Sequence, residues 1–271
     1  MGLSSCHNHT EFCDGKSTAR QMADAALAAG FSDLGFSTHC DPLCAHLDEE
    51  AYLTALRALQ AEYRGRLAIA VGVEQDYYTP VADPSRYDYI LGSVHYVRGP
   101  VTGQLWPMDW KPEALHMGIG ELGGAPALVR AYYANVAQHA LRSRPAVTGH
   151  FDLVTKNNRD NAFFDEDAPW YRALALEALD VCLETESIVE VNTGGMFRGY
   201  RERPYPARFI LARVLEKGGR VALNADAHET AALTYGFAGA RALLADVGFR
   251  EIWALRDGVF APEPLRPDET K

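Results

Sequence analysis

The chain has 271 residues, 48% of them hydrophobic, with 36 acidic against 26 basic side chains and a formal charge of −10. That length supports one substantial core, and the acidic balance disfavours a polyanion such as nucleic acid as partner. No run of about 18 apolar residues is present, and no basic stretch followed by an apolar one opens the chain. The expectation is therefore neither membrane span nor signal peptide, and a cytoplasmic location. The cysteines, Cys6, Cys13, Cys40, Cys44 and Cys182, are odd in number and form no Cys-x-x-Cys pair. They read as free thiols, small packed residues in a reducing compartment.

Along the chain a short apolar run ends in His, Glu or Asp, and a helical pattern follows. Residues 2–8 read as a first strand that runs into "HNHTEFCDG". Thr18 and Gln21 have the spacing of a capping box, and Met22, Ala25, Ala26 and Ala29 form one helix face closed by Gly30. "DLGFSTH" (33–39) is a second strand, 49–64 a helix, "LAIAVGVE" (67–74) a buried strand and "YILGSVH" (89–95) another. The Gly- and Pro-rich stretch 98–126, with Trp106 and Trp110, is too long for an ordinary connection and too aromatic for a flexible linker, and reads as an ordered, lid-like excursion over a site. The rhythm resumes with a helix near 127–142, "AVTGH" (146–150), a helix near 170–186, "IVEVNTGG" (188–195), a helix near 206–217, "VALNADAH" (221–228) and a helix near 238–246. A short apolar segment at 251–255 precedes a Pro-rich, charged tail, 261–271, that reads as peripheral. Such alternation without a composition shift predicts one α/β domain with a parallel sheet over 1–271, closed as a barrel in preference to an open sheet.

Strand ends of a barrel converge on its C-terminal face. There the sequence delivers His7, His9, His39, Glu74, His95, His150, Asp226 and His228, whereas His46, His116 and His139 fall at no strand end. Any one histidine there would be unremarkable; six of the nine at strand ends are not a chance placement. His7 and His9, like Asp226 and His228, are two apart, so along a strand each pair faces one side. Imidazole with carboxylate suits Zn²⁺, Mn²⁺ or Fe²⁺, and the set exceeds the roughly four ligands of one zinc site, so two or three ions are implied.

In this order "HNHTEFCDG", "STH", "VGVE", "GSVH", "GHFD" and "NADAH" resemble the PHP (polymerase and histidinol phosphatase) superfamily. Within it, "HTEFCDG", "GSVHYV", "GHFDL" and "EVNTGG" are similar to the histidinol-phosphate phosphatase branch, over residues 7 to about 237. The resemblance implies a distorted (β/α)7 barrel with a trinuclear metal site. It implies that His7, His9, Glu74 and Asp226 hold one ion, and that Glu74 bridges to a second on His95 and His150. His39 and His228 would take a third, with Asp14 standing where many relatives have a histidine. Glu74, Asp226 and His228 would then be catalytic. Arg159 and Arg198 are expected to bind phosphate, Asn192 and Thr193 to position substrate, and Glu190 to hydrogen-bond a ligating histidine. Lys156 is a further cation in the same region, and Arg201 is read as a solvated surface charge. Trp106, Trp110 and Asp109 would receive the cationic end of a substrate.

The implied activity is metal-dependent hydrolysis of L-histidinol phosphate, a small-molecule substrate. The alternatives are another PHP phosphoesterase acting on a nucleotide or sugar phosphate, and a metallo-amidohydrolase, against which no strand-end lysine is seen. A polymerase-associated module is disfavoured by length and charge, and a metal-storage or structural role by arginines beside the ligands. The oligomeric state is not written in the sequence.

Overall fold

The computed structural model describes residues 2–42 and 48–266; Cys44 and His46 lie outside them. The elements in order are β1 (Leu3–Ser5), α1 (Ala19–Ala28), β2 (Phe31–Cys40), α2 (Glu49–Tyr63), β3 (Ala68–Asp76), β4 (Tyr89–Ser93), β5 (Tyr96–Arg98), β6 (Leu105–Pro107), α3 (Pro112–Leu122) and α4 (Ala125–Ser143). There follow β7 (Val147–Thr148), α5 (Pro169–Glu184), β8 (Ile188–Asn192), α6 (Gly194–Phe197), α7 (Arg208–Glu216), β9 (Val221–Asn224), α8 (Phe237–Val247), β10 (Glu251–Arg256) and β11 (Val259–Pro264). Seven parallel strands run in the order β1-β2-β3-β4-β7-β8-β9. Between the outer pair, β1 and β9, the seam is drawn together by one isolated parallel bridge, Asn8 to Ala227. The result is a nearly closed, distorted (β/α)7 barrel.

Alternation along the strands builds its two compartments. On β3, Ile69, Val71 and Val73 face outward into the main core shared with the helices. Ala70 faces inward with Cys6, Tyr89, Leu91, Val147, Ile188 and Ala222. The Tyr89 ring crosses this interior, and its hydroxyl lies within hydrogen-bond reach of the carbonyls of Cys6 and Phe36, which share its one proton. Gly35 and Gly72 make room for it, because a Cβ at either would overlap the ring. The same inward rows continue upward as Glu74 on β3, Glu190 and Asn192 on β8, and Asn224 on β9, all buried. The barrel is therefore apolar at its N-terminal end and polar at its C-terminal end, which is where the site lies.

One region departs from the sequence reading. The C-terminal segment is not peripheral through 264: β10 and β11 pair as an antiparallel hairpin. Its Leu255, Trp253 and Phe260 pack onto the apolar end of the barrel interior. The excursion is ordered, in keeping with its aromatic content. β5 and β6 pair back to back, α3 follows, and Trp106, Met108 and Leu115 belong to the main core. Trp106 is buried and donates to Glu121 Oε2 at 2.6 Å. Elsewhere the capping box of Thr18 and Gln21 forms as expected. Among the described residues no helix is long and apolar enough to cross a membrane.

Candidate metal centre

Register places the first ligands side by side. His39 on β2 is the direct partner of Glu74 on β3, and their side chains meet at 2.7 Å, Nδ1 to Oε2. His7 and His9 lie just past β1, where the chain is still extended against the β9 side: His9 N–H donates to the Ala227 carbonyl at 2.8 Å. Asp226 follows β9 with φ 47°, a left-handed conformation uncommon for aspartate. Arg198 holds it there through Oδ2 at 2.8 Å. His95 and His150 follow β4 and β7, and their Nε2 atoms approach Glu74 Oε1 to 3.3 and 2.9 Å.

Glu74 is thus central. Its other oxygen, Oε2, also lies 3.5 Å from His7 Nε2 and 3.6 Å from His9 Nε2. Asp226 Oδ1 lies 3.6 and 3.3 Å from those same nitrogens. Asp14 Oδ1 stands 3.4 Å from His39 Nε2 and 3.2 Å from His228 Nε2. The turn that presents Asp14 requires Gly15, where a Cβ would collide with the backbone of Thr10. Four overlapping groups can each hold an ion: His7/His9/Asp226, His7/Glu74/His150, His39/Glu74/His95 and His9/Asp14/His39/His228.

The donor chemistry fits divalent transition metals. His7 Nε2, His9 Nε2, His39 Nδ1, Glu74 Oε2 and His150 Nδ1 are all buried without a hydrogen-bond partner. A fold does not leave so many polar atoms unpaired unless something else satisfies them. At His39 the 2.7 Å approach to Glu74 lacks hydrogen-bond geometry; the two atoms share a target rather than a proton. Burial opposes the charge on Glu74, yet the surrounding His7, His39 and His95 hold its carboxyl well below the usual range. Burial and the neighbouring His9 push His228 down to about 4.

Behind the ligands sits a second set of buried groups. Glu190 accepts from His7 Nδ1 at 2.7 Å and from the His150 backbone N–H at 2.7 Å, fixing two ligands from different strands. Asp76 faces His95 Nδ1 at 3.3 Å and accepts from its backbone N–H at 2.8 Å. Cys13 Sγ lies 3.4 Å from His9 Nδ1, and the histidine charge draws its thiol down to about 6 against the effect of burial. Such partners set the tautomer and orientation of a ligating imidazole. Of these only Glu190 was legible in the sequence, from its two-residue spacing to Asn192.

Above the ligands opens a cavity of about 270 Å³, walled by Asp14, His39, His95, His150, Asp226 and His228 on one side and by Asp109, Lys156, Phe197, Arg198 and Tyr200 on the other. Arg198 reaches it and also donates to His228 Nδ1 at 2.9 Å. Arg159 does not: its side chain is 68% exposed, near Asp160 and Glu202. The cation at that position is Lys156, three residues earlier on the turn nearer the barrel and 8% exposed. Asn192 and Thr193 are completely buried beneath the site; Asn192 bonds Glu190 and the Gly194 N–H, so it supports the frame instead of touching substrate. Arg201 is not a solvated charge either, being clamped on Glu166 and the Thr155 carbonyl. Trp110 is exposed, and of residues 98–126 only Asp109 is in the cavity wall. His116 and His139 stay outside the site, as expected: His116 packs near Phe163, and His139 bonds Gln75. A larger open depression, about 1000 Å³, lies at the opposite face by Arg66, Arg256 and Glu263, with no histidine in its wall.

Fold and site together define an α/β barrel built around a candidate metal centre at its C-terminal strand ends. The chain belongs to the PHP domain family, whose model matches residues 5–194. It is 32% identical over 267 residues to a Deinococcus radiodurans protein named "Probable histidinol-phosphatase", covering 93% of this chain and 96% of that one. It is 26% identical to the histidinol-phosphatase of Bacillus subtilis, over 85% of this chain and 95% of that protein. In fold it matches a Listeria monocytogenes crystal structure assigned as a histidinol phosphatase, with TM-score 0.75 and 19% identity over 87% of this chain and 98% of the other. It also matches a histidinol phosphate phosphatase from Lactococcus lactis solved with zinc, L-histidinol and phosphate, with TM-score 0.67 and 20% identity over 95% and 98% of the two chains.

Proposed function

We propose that this chain is a metal-dependent phosphomonoesterase that hydrolyses L-histidinol phosphate to L-histidinol and phosphate, a step of histidine biosynthesis. The observation that carries the reading is the convergence of six histidines with Glu74, Asp226 and Asp14 in four overlapping ligand groups beneath a small cavity. The nearly full-length likeness to the Deinococcus protein supports the choice of substrate. His7, His9, Glu74 and Asp226 would hold one ion, Glu74 with His95 and His150 a second, and Asp14 with His39 and His228 a third. When bound, such ions neutralise phosphoryl charge and make an attacking hydroxide available near neutral pH. Zinc, manganese and iron all suit the donors.

The chain's own groups do the rest. Arg198 and Lys156 supply fixed positive charge at the mouth of a protein that carries −10 overall. Arg198 is anchored through Nη2 on Asp226 and through Nη1 on His228, which fixes its positive charge beside the place a phosphoryl group would occupy. Phe197 and Tyr200 give the wall an apolar face that limits water around the ester. The cavity volume lies at the low end for ligand sites, which favours a small ester over a nucleotide.

The test is side-by-side kinetics on protein whose metal content is known. L-Histidinol phosphate should exceed aryl, sugar and nucleotide phosphates in kcat/KM by more than about tenfold, a difference of only about 1.4 kcal/mol in transition-state binding. A nucleotide or sugar ester in first place would overturn the substrate. A transition-metal content well below one ion per chain would overturn the metal reading.

A further inference from the structure

Four carboxylates stand in the cavity wall: Asp14, Asp109, Asp226 and Glu229. Asp14 and Asp226 belong to the candidate metal groups. Glu229 holds Lys16 at 2.8 Å at the outer rim. Asp109 is different. It arrives from the stretch after β6, outside the ring of strand ends. Among the described residues its ion-pair partner is another wall residue, Lys156, at 3.3 Å between Nζ and Oδ2. The Lys156 ammonium also lies 4.7 Å above the centre of the Tyr200 ring. One part of the wall therefore carries a cation that touches both an anion and an aromatic face.

We propose that this Asp109–Lys156–Tyr200 wall determines specificity for phosphate esters whose alcohol bears a positive charge. The inference rests on the phosphatase reading above and deepens it. A substrate with a phosphate at one end and an ammonium or imidazolium at the other carries both members of the Asp109–Lys156 pair. Its phosphate takes the lysine, and its cation takes the aspartate and the ring face that the lysine leaves. A neutral ester offers the lysine a partner but leaves the half-buried Asp109 carboxylate, 21% exposed, without its cation, which disfavours it. The pair thereby rewards amphoteric esters and penalises neutral ones with the same phosphate.

The experiment compares wild type, Asp109→Asn, Asp109→Ser and Asp109→Glu, each loaded with metal and checked for unchanged thermal unfolding. Two ratios are read: kcat/KM for L-histidinol phosphate over that for glycerol phosphate, and the inhibition constant of L-histidinol over that of inorganic phosphate. In the Asn and Ser variants the first ratio should fall, and the second rise, by at least about tenfold, as expected when one member of a partly buried charge contact is removed. The Glu variant should recover part of both. Ratios that stay within about threefold of wild type in a folded variant overturn the inference. A wild type that does not prefer L-histidinol phosphate overturns instead the reading on which it rests, so the two failures are distinguishable. If Asn unfolds the protein, the Ser variant and the inhibition ratio on wild type against a neutral alcohol carry the same decision.

Discussion

Replacing Glu190 by glutamine changes one atom and should release a metal ligand. Glu190 is completely buried, and four donors point at it. His7 Nδ1 and Asn224 Nδ2 reach Oε1 at 2.7 and 3.0 Å, and His150 N and Asn192 Nδ2 reach Oε2 at 2.7 and 2.9 Å. A carboxylate accepts all four; a glutamine keeps one acceptor oxygen and turns two hydrogens on the other pair. The backbone N–H of His150 cannot invert, so the oxygen is drawn to the Oε2 side. The amide nitrogen then confronts His7 and Asn224. Asn224 cannot flip without abandoning the Cys6 N–H, which it accepts at 2.8 Å. What yields is the His7 tautomer: Nδ1 becomes the acceptor, and the proton moves to Nε2, the atom that faces Glu74 and Asp226. The loss of one hydrogen bond to a charged group is worth about 1.5–3 kcal/mol. Converted at about 1.4 kcal/mol per decade, that is roughly a 10- to 100-fold weaker metal affinity, the range typical when a partner behind a ligating histidine is removed. Chelator competition with Zn²⁺ measures it. Glu190→Gln should bind the first-lost ion about 10- to 100-fold more weakly, while the ion on Asp14, His39 and His228, which Glu190 does not touch, changes little. A folded variant with all affinities within about threefold of wild type would refute the reasoning, and so would a uniform loss at every ion.

Three further outcomes are expected. Glu74→Gln should abolish turnover while the protein stays folded, since Glu74 alone faces histidines from four strand ends; near-normal activity would mean the centre is wrongly built. Arg198→Ala should raise KM for phosphate esters, or lower kcat as well if its contact tightens in the transition state, whereas Arg159→Ala should leave both near wild type because that side chain is 68% exposed. Equal effects of the two would reverse the assignment. His139 is held neutral, its pKa pushed down to about 4 by burial. A depressed imidazole contributes stability that is present above its ordinary value of 6.5 and is lost as pH falls toward 4. Chelated wild type should lose about 2 kcal/mol between about pH 7 and pH 5 that His139→Gln does not lose, read from denaturant unfolding. Parallel pH curves for the two proteins would count against it.

The wall residues show best where sequence reading stops. Arg159 and Lys156 are three apart on one turn-rich segment, and by residue type the arginine is the expected phosphate binder. Only the path of the chain after His150, through two short 3-10 turns, sends Arg159 to solvent and Lys156 inward. Trp106, Trp110 and Asp109 were likewise one group in the sequence. The pairing of β5 with β6 buries the first, α3 leaves the second outside, and Asp109 alone meets Lys156.

What the sequence determined by itself is the rhythm of strands and helices and the ligand list. Both rest on local physics: a period of two along a strand puts His7 with His9 and Asp226 with His228, and strand ends of a parallel barrel share one face. The tertiary structure decided which candidate ligands stand within reach of one another. That depends on register, such as His39 opposite Glu74, and on side chains from distant strands meeting at one carboxylate. It also decided that the C-terminal hairpin plugs the barrel. Residues 261–264 alternate exposed and half-buried among prolines and glutamates, a pattern that in isolation reads as surface. Their role comes from pairing with β10 over an apolar opening that strands far apart in the chain create together. Contacts between residues separated by the whole length of the chain leave no periodicity behind, and so only the folded molecule records them.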